Sequence, residues 1–202
     1  MTDFYNTISK EATAEFKDRG SRFIAFASPI HDAAGFRSRM VEIRQQHAKA
    51  THHCFAYRLG LDGNNHRVSD DGEPSGTAGK PILGQIDSRQ LVDVLVIVVR
   101  YFGGTQLGVA GLTHAYRSAA ALCLQMAPIL QKPLEKELEL SFDYTRLNDV
   151  LILVRQHHCR ILRQDLQLFS SMTLAIPQNK WEELTYRFKQ LRGVEVSGPG
   201  RP

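Results

Sequence analysis

The residues best suited to chemistry in this sequence lie in one acidic, glycine-rich stretch. The candidate binding residues of this stretch are Ser69, Asp70, Asp71, Gly72, Glu73, Gly76, Thr77, Gly79 and Lys80. Carboxylates and a lysine among hydroxyl groups and flexible backbone could hold Mg²⁺ or a phosphate group. Long ordered loops are uncommon unless they serve a function. The alternative is a loop that its own side chains fix through hydrogen bonds to the backbone, and the sequence leaves both open.

Two known loop motifs do not fit this stretch. A phosphate-binding P-loop would need glycine at position 74 and a hydroxyl residue at position 81, and both positions are proline. The spacing of the acidic residues also differs from that of a calcium-binding loop. The stretch is therefore a candidate binding loop whose ligand no motif identifies.

His52 and His53 are two further candidate site residues, in a segment that predicts a strand from Thr51 to Leu59. Adjacent residues on a strand point to opposite faces, so these two imidazoles cannot both coordinate one metal ion. We expect one histidine to be buried and hydrogen-bonded and the other to be exposed. No metal and no other cofactor is expected.

A third group of candidates follows the longest apolar run, Leu91 to Val99. The group consists of Arg100, Tyr101, Gly103, Gly104 and Gly108. A strand that runs into a glycine-rich turn and then a helix can direct backbone N–H groups at an anion, and Arg100 would add a fixed cation. Because a lone buried charge is costly, Arg100 must meet either a ligand or an acidic loop residue, and we favour the ligand. The glycine spacing does not match the dinucleotide-binding fingerprint.

The surrounding pattern predicts the elements that position these residues. β-branched residues in the apolar run predict a strand that is buried on both faces, and a helix from Gly111 to Met126 follows it. Near the start of the chain, a hairpin precedes a helix that Asp32 caps. A short helix from Ile82 to Asp87 follows the acidic loop.

The last third of the chain has its own periodicity. Alternating and helical patterns there predict the order βαββαβ, which is typical of a ferredoxin-like domain. Gln131 to Pro133 has the composition of a short linker. We therefore predict two domains, residues 1–130 and residues 135–198, joined by a protease-sensitive segment.

Composition narrows the classes of protein. The 202 residues are 43% hydrophobic and 23% charged, as in an ordinary globular protein, and the net charge of +4 hints only weakly at nucleic-acid binding. The cysteines Cys54, Cys123 and Cys159 have neither metal-site nor disulfide spacing, which favours free thiols in a reducing cytosol. No signal peptide or membrane span is predicted, so we expect a cytoplasmic protein without a membrane partner.

Taken together, the motifs resemble those of the YigZ/IMPACT family. The resemblance rests on His52-His53-Cys54, on residues 69–74, 76–81 and 99–104 with Leu107-Gly108, and on Ser21-Arg22-Phe23. It implies an α/β (α+β) protein in which a ribosomal-protein-S5 domain-2-like fold precedes a ferredoxin-like domain resembling the C-terminal domain of elongation factor G. Eukaryotic members of the family regulate translation, so the resemblance also implies a translation-linked role.

The function we favour is a non-catalytic regulator of translation that binds RNA, the ribosome or a translation-linked protein partner. The acidic loop and the glycine-rich turn would converge in one concave surface. Arg22, Lys80 and Arg100 would meet phosphate groups there, and Tyr101 or Phe102 would stack on a base.

The alternative function is a Mg²⁺-dependent hydrolase that acts on a phosphorylated or peptide substrate. Asp70, Asp71 and Glu73 would hold the metal ion, and His52 or His53 would act as the general base. We favour the binding function because the sequence completes neither a nucleophile–base pair nor a metal-binding spacing.

Overall fold

The structure is a computed structural model that describes residues 3–61 and 64–198. Backbone contacts divide the chain into two compact units. One unit spans residues 5–132, and the described residues of the other are 133–198 together with residues 3 and 4.

A five-stranded antiparallel sheet forms the centre of the first unit. The strands that lie wholly or mostly in this unit are β1 (Phe4–Ile8), β2 (Ala12–Asp18), β3 (Ser21–Pro29), β4 (His52–Arg58), β5 (His66–Ser69), β6 (Val94–Tyr101) and β7 (Ile129–Pro133). The large sheet has the order β2-β3-β6-β4-β5, so the apolar strand β6 lies in its middle. Every residue of β6 except Tyr101 is buried, as the run of β-branched residues predicts.

Helices cover both faces of this sheet. They are α1 (Ala33–Gln46), α2 (Gly79–Ser88) and α3 (Gly108–Met126). Phe36, Met40 and Ile43 of α1 pack on one face, while α2 and α3 pack on the other. The Asp32 side chain accepts a hydrogen bond from the Gly35 N–H at 2.7 Å, which confirms the predicted cap of α1.

Several predicted boundaries around the candidate site are wrong. β6 begins at Val94 rather than Leu91, because Asp93 has a positive φ of 57° that interrupts the extended backbone. α2 begins at Gly79 and α3 at Gly108, each three residues before the predicted start. Both candidate loops are therefore shorter than the sequence suggested.

The prediction of a linker at residues 131–133 is also wrong. Residues 131–133 belong to β7, which pairs with β1 in a two-stranded sheet. The backbone N–H of Ser9 further donates to the carbonyl oxygen of Pro128 at 2.9 Å. A paired strand exposes less backbone to a protease than a linker does. Easy cleavage at this position is therefore not expected.

The second unit has the predicted βαββαβ order. Its elements are β8 (Glu135–Asp143), α4 (Leu147–Gln156), β9 (Arg160–Asp165), β10 (Phe169–Pro177), α5 (Trp181–Gln190) and β11 (Val194–Ser197). The four strands form an antiparallel sheet in the order β11-β8-β10-β9. Leu140, Leu174, Val150 and Phe188 belong to its core. The predicted α/β (α+β) fold class is confirmed.

Candidate functional site

The candidate site lies at the end of β6, on the sheet face that α2 and α3 cover. Phe23 of β3 and His52 of β4 both pair directly with Arg100 of β6. Directly paired residues of neighbouring strands share a face, so these three side chains lie side by side. The Arg100 guanidinium carbon is 5.5 Å from the centroid of the Phe23 ring.

Arg100 forms a buried ion pair with the acidic loop. Its Nη1 lies 2.7 Å from Oε1 of Glu73, and the two side chains are only 7% and 3% exposed. The Tyr116 hydroxyl of α3 donates to the same oxygen at 2.7 Å. The acidic loop and the glycine-rich turn therefore do converge. The expectation that Arg100 meets a ligand is corrected, because Glu73 supplies the opposite charge that burial demands.

The ion pair continues into a buried polar network. Sγ of Cys54 lies 3.3 Å from the Tyr116 hydroxyl oxygen and 3.0 Å from the carbonyl oxygen of Asp70. Burial raises the pKa of the Cys54 thiol and of the Tyr116 phenol far above their usual values. Both groups therefore stay protonated near neutral pH, and neither is an activated nucleophile.

The two histidines of β4 face opposite sides of the sheet, as predicted. Nδ1 of His52 donates to the carbonyl oxygen of Asp71 at 2.8 Å, and its Nε2 lies 3.8 Å from Oε1 of Glu73. The His52 side chain is 19% exposed, so it is half-buried rather than exposed. His53 is the buried histidine of the pair, and burial lowers its pKa.

Asp70 fixes the acidic loop from within. Its Oδ1 accepts hydrogen bonds from the N–H groups of Ala78 and Gly79 at 3.0 and 2.8 Å, and its Oδ2 accepts one from Gly76 at 2.8 Å. Burial is the largest single influence and acts to raise the pKa of Asp70. The three N–H groups and the charge of Lys80 outweigh it and hold that pKa below its usual value. Asp70 thus serves as an anionic cap for α2.

Asp71, His53 and Tyr101 lie on the opposite side, towards α1. The Asp71 carboxylate accepts the backbone N–H of His53 at 2.7 Å and pairs with Arg44 at 2.9 Å. The Tyr101 hydroxyl is 3.0 Å from Nδ1 of His47, whose carbonyl oxygen is 3.2 Å from Nε2 of His53. The expectation of one concave surface is corrected, because neighbouring strand residues alternate between faces.

The three carboxylates of the acidic loop have three separate sets of partners. Asp70 caps backbone N–H groups, Asp71 meets an arginine of α1, and Glu73 meets Arg100. Within residues 3–61 and 64–198, no cluster of three or more His, Cys, Asp or Glu residues could hold a metal ion. The Mg²⁺ site of the hydrolase alternative would require these contacts to break.

The remaining candidates of the acidic loop have identifiable structural contacts. Ser69 Oγ accepts the Asp71 N–H at 3.3 Å, and the buried Thr77 hydroxyl donates to the Pro74 carbonyl oxygen at 2.7 Å. A Cβ at Gly79 would lie 2.8 Å from the Ser69 backbone nitrogen. The loop is thus fixed by its own side chains, which is the second of the two interpretations that the sequence left open. Lys80, in contrast, is exposed in the first turn of α2.

The glycines of both loops are needed for different reasons. Gly72, Gly104 and Gly108 have φ of 90°, 86° and 69°, a region that side-chain-bearing residues rarely occupy. Gly103 instead allows close packing, since a Cβ there would lie 2.0 Å from the carbonyl carbon of Gly20. The glycine-rich turn is therefore held tightly against the β2–β3 hairpin.

An open cleft of about 370 Å³ adjoins the buried ion pair, and we call it the Phe102 cleft. It is lined by Glu73, Pro74, Arg100, Phe102, Gln106, Leu107, Gly108, Val109 and Leu112. Phe102 is 50% exposed, and its ring centroid lies 5.5 Å from the Arg100 guanidinium carbon. The cleft therefore combines a charge-compensated ion pair with an accessible aromatic and aliphatic surface.

Sequence reasoning missed Tyr116 and Cys54 as members of the buried network. Tyr116 stands beside the apolar stripe of α3, and Cys54 is an apolar-facing strand residue, so both have the pattern of ordinary core residues. A tyrosine buried in a helix does signal a hydrogen-bond partner, because a buried hydroxyl seldom lacks one.

Comparisons with known proteins agree with the motif resemblance. The family model of the Impact N-terminal domain matches residues 19–124. IMPACT family member YvyE of Bacillus subtilis is 35% identical over 150 residues, which are 74% of this chain and 69% of the relative. IMPACT family member YigZ of Escherichia coli is 32% identical over 167 residues, 82% of each chain.

One solved structure matches along the whole length. It is a crystal structure described as that of a hypothetical protein, 27% identical, with a TM-score of 0.81 over 100% of both chains. None of the helices in the described part of the chain is long and apolar enough to cross a membrane. Since the family model spans more than half of the sequence and the bacterial relatives span most of it, the chain belongs to the IMPACT family.

Proposed function

We propose that this protein regulates translation by binding RNA, free or on the ribosome, without catalysing a reaction. Family membership supports the link to translation that the motifs imply. The observation that carries the binding mode is the Phe102 cleft, where an exposed aromatic ring stands beside a neutralised buried ion pair. A role in translation would place the protein in the cytoplasm.

The cleft suits a nucleic-acid base better than a phosphate group. Phe102 offers a ring face, and stacking of one base on an aromatic side chain contributes about 1–3 kcal/mol. Arg100 is already paired, so a base can enter without leaving a buried charge unpaired. Arg22 is also partly engaged, because its Nη2 forms an ion pair with Oε2 of Glu15 at 2.8 Å. Of the three residues predicted to contact phosphate groups, Lys80 therefore fits that role best.

The groups that catalysis would use are engaged in structural contacts instead. One Glu73 oxygen accepts bonds from both Arg100 and Tyr116, and the Asp70 oxygens accept three N–H groups. The Cys54 thiol is kept protonated by burial. A binding site needs a rigid surface rather than reactive groups, and this network provides it.

Replacing Phe102 with alanine should weaken RNA binding about ten-fold, because one stacking contact is lost. The fold should be nearly unchanged, since the side chain is 50% exposed. The measurement is fluorescence anisotropy of a labelled single-stranded RNA. Phe169→Ala is the matched control, because it removes an 83% exposed phenyl ring from the second unit and should leave the affinity unchanged. Equal affinity of the Phe102→Ala variant and the unmodified protein would contradict the proposal.

A further inference from the structure

A second cavity, of about 440 Å³, opens between α2 and α3, and we call it the α2–α3 pocket. It is lined by Gly76, Lys80, Pro81, Gly84, Gln85, Thr113 and Arg117. It shares no lining residue with the Phe102 cleft. The α2–α3 pocket is therefore separate from the Phe102 cleft.

The charged residues of this pocket are both cations. Lys80 comes from α2 and Arg117 from α3, and both are exposed. No carboxylate lines the pocket, and in the described part of the chain no ion pair joins either cation to an acid. The charge of Lys80 helps to lower the pKa of Asp70, but three backbone N–H groups already occupy the oxygens of that carboxylate. Both cations are therefore available to an anion.

The neutral polar groups of the pocket add further donors. Oε1 of Gln85 accepts a bond from Nη1 of Arg89 at 3.3 Å, which leaves its NH₂ group free to donate. Thr113 contributes a hydroxyl group from α3. A cavity with two cations, an amide donor and a hydroxyl matches the oxygen atoms of a phosphate group.

Gly84 leaves the pocket open on the side of α2. It lies inside α2, where glycine destabilises a helix relative to alanine. An added Cβ would meet nothing within 4 Å, so packing does not require glycine here, and its φ is not positive. The open space beside Gly84 would admit a ligand against the backbone of α2.

We infer that the α2–α3 pocket binds phosphate groups, with Lys80 and Arg117 neutralising the charge and Gln85 and Thr113 donating hydrogen bonds. Two sources share this chemistry, the backbone of an RNA strand and a free nucleotide. The inference goes beyond the proposed function, because phosphate binding in this pocket requires neither the Phe102 cleft nor a ribosome.

The test is calorimetric titration of the full chain with inorganic pyrophosphate at low salt. We expect saturable binding that falls about ten-fold or more in the Lys80→Gln/Arg117→Gln double variant. The control is Arg37→Gln/Lys49→Gln, which removes the same charge from exposed positions on and just after α1 and should bind normally. No saturable binding by the unmodified protein, or an equal loss in the control, would overturn the inference.

Gly84 supplies a second, charge-independent arm of this test. Gly84→Ala should raise the melting temperature, and Gly84→Leu should abolish pyrophosphate binding while the circular dichroism spectrum stays native. A lower melting temperature for Gly84→Ala would give the glycine a structural role and count against the inference. Displacement of pyrophosphate by RNA lacking terminal phosphates would identify the RNA backbone as the ligand, and displacement only by a nucleoside diphosphate would identify a nucleotide. Loss of RNA binding by Phe102→Ala is measured separately and does not bear on this pocket.

Discussion

Replacing Arg100 with alanine should destabilise the protein by about 3–5 kcal/mol, because it leaves a buried charge without its partner. Glu73 would remain in a site where its side chain is only 3% exposed, with the Tyr116 hydroxyl as its nearest remaining donor. The substitution would also remove the guanidinium that lies 5.5 Å from the ring centroids of Phe23 and Phe102. Urea denaturation followed by circular dichroism measures the free energy of unfolding directly.

A double variant separates the buried charge from lost packing. Arg100→Met with Glu73→Leu removes both charges and keeps most of the apolar volume, so it should recover a large part of the stability. Arg100→Lys should fall between the unmodified protein and Arg100→Ala, because lysine keeps the charge but loses the planar fork. A cost below about 1 kcal/mol for Arg100→Ala is what an exposed ion pair would give, and it would refute the buried pair.

Replacing Gly103 with alanine should also be severe, costing about 1–3 kcal/mol or more. The new Cβ would lie 2.0 Å from the carbonyl carbon of Gly20 and 2.3 Å from the backbone nitrogen of Ser21. Backbone atoms cannot rotate away as a flexible side chain can, so the hairpin between β2 and β3 must shift. That shift would strain the bond from the Gly103 N–H to Ser21 Oγ, now 3.2 Å long.

Gly104 is the natural control for this prediction, since it adjoins Gly103 but lacks the close contact. Its φ is +86°, and an added Cβ would meet nothing within 4 Å. Gly104→Ala should therefore show only backbone strain, on the order of 1 kcal/mol. Denaturation of both variants under identical conditions compares their free energies of unfolding and tests this difference. If Gly103→Ala loses no more stability than Gly104→Ala, the close approach of the two loops is not as described.

The sequence predicted the elements well where local chemistry dominates. β-branched residues identified β6, Asp32 identified the start of α1, and alternation identified β8, the first strand of the second unit. It failed where backbone geometry depends on tertiary contacts. Asp93 interrupts the apolar run with a positive φ, and residues 131–133 form a strand because β1 is available to pair with them.

The candidate site was predictable only in part. The cost of a buried charge restricted the partner of Arg100 to an acidic loop residue or a ligand. The choice of Glu73 depends on a loop that packs across 27 residues of sequence, which no local pattern encodes. The separation of Tyr101 from Arg100 did follow from strand alternation, and applying that rule to β6 would have divided the predicted surface correctly.

Co-sedimentation of the purified protein with ribosomes tests the central claim most directly. The account predicts that the full chain sediments with ribosomes at low salt and that less of it sediments as salt rises from about 50 to 200 mM, because phosphate contacts release counterions. Phe102→Ala should sediment less than the unmodified protein, and Phe169→Ala should not differ from it. Failure of the unmodified protein to sediment with ribosomes at low salt, or retention of Phe102→Ala equal to that of the unmodified protein, would contradict the account.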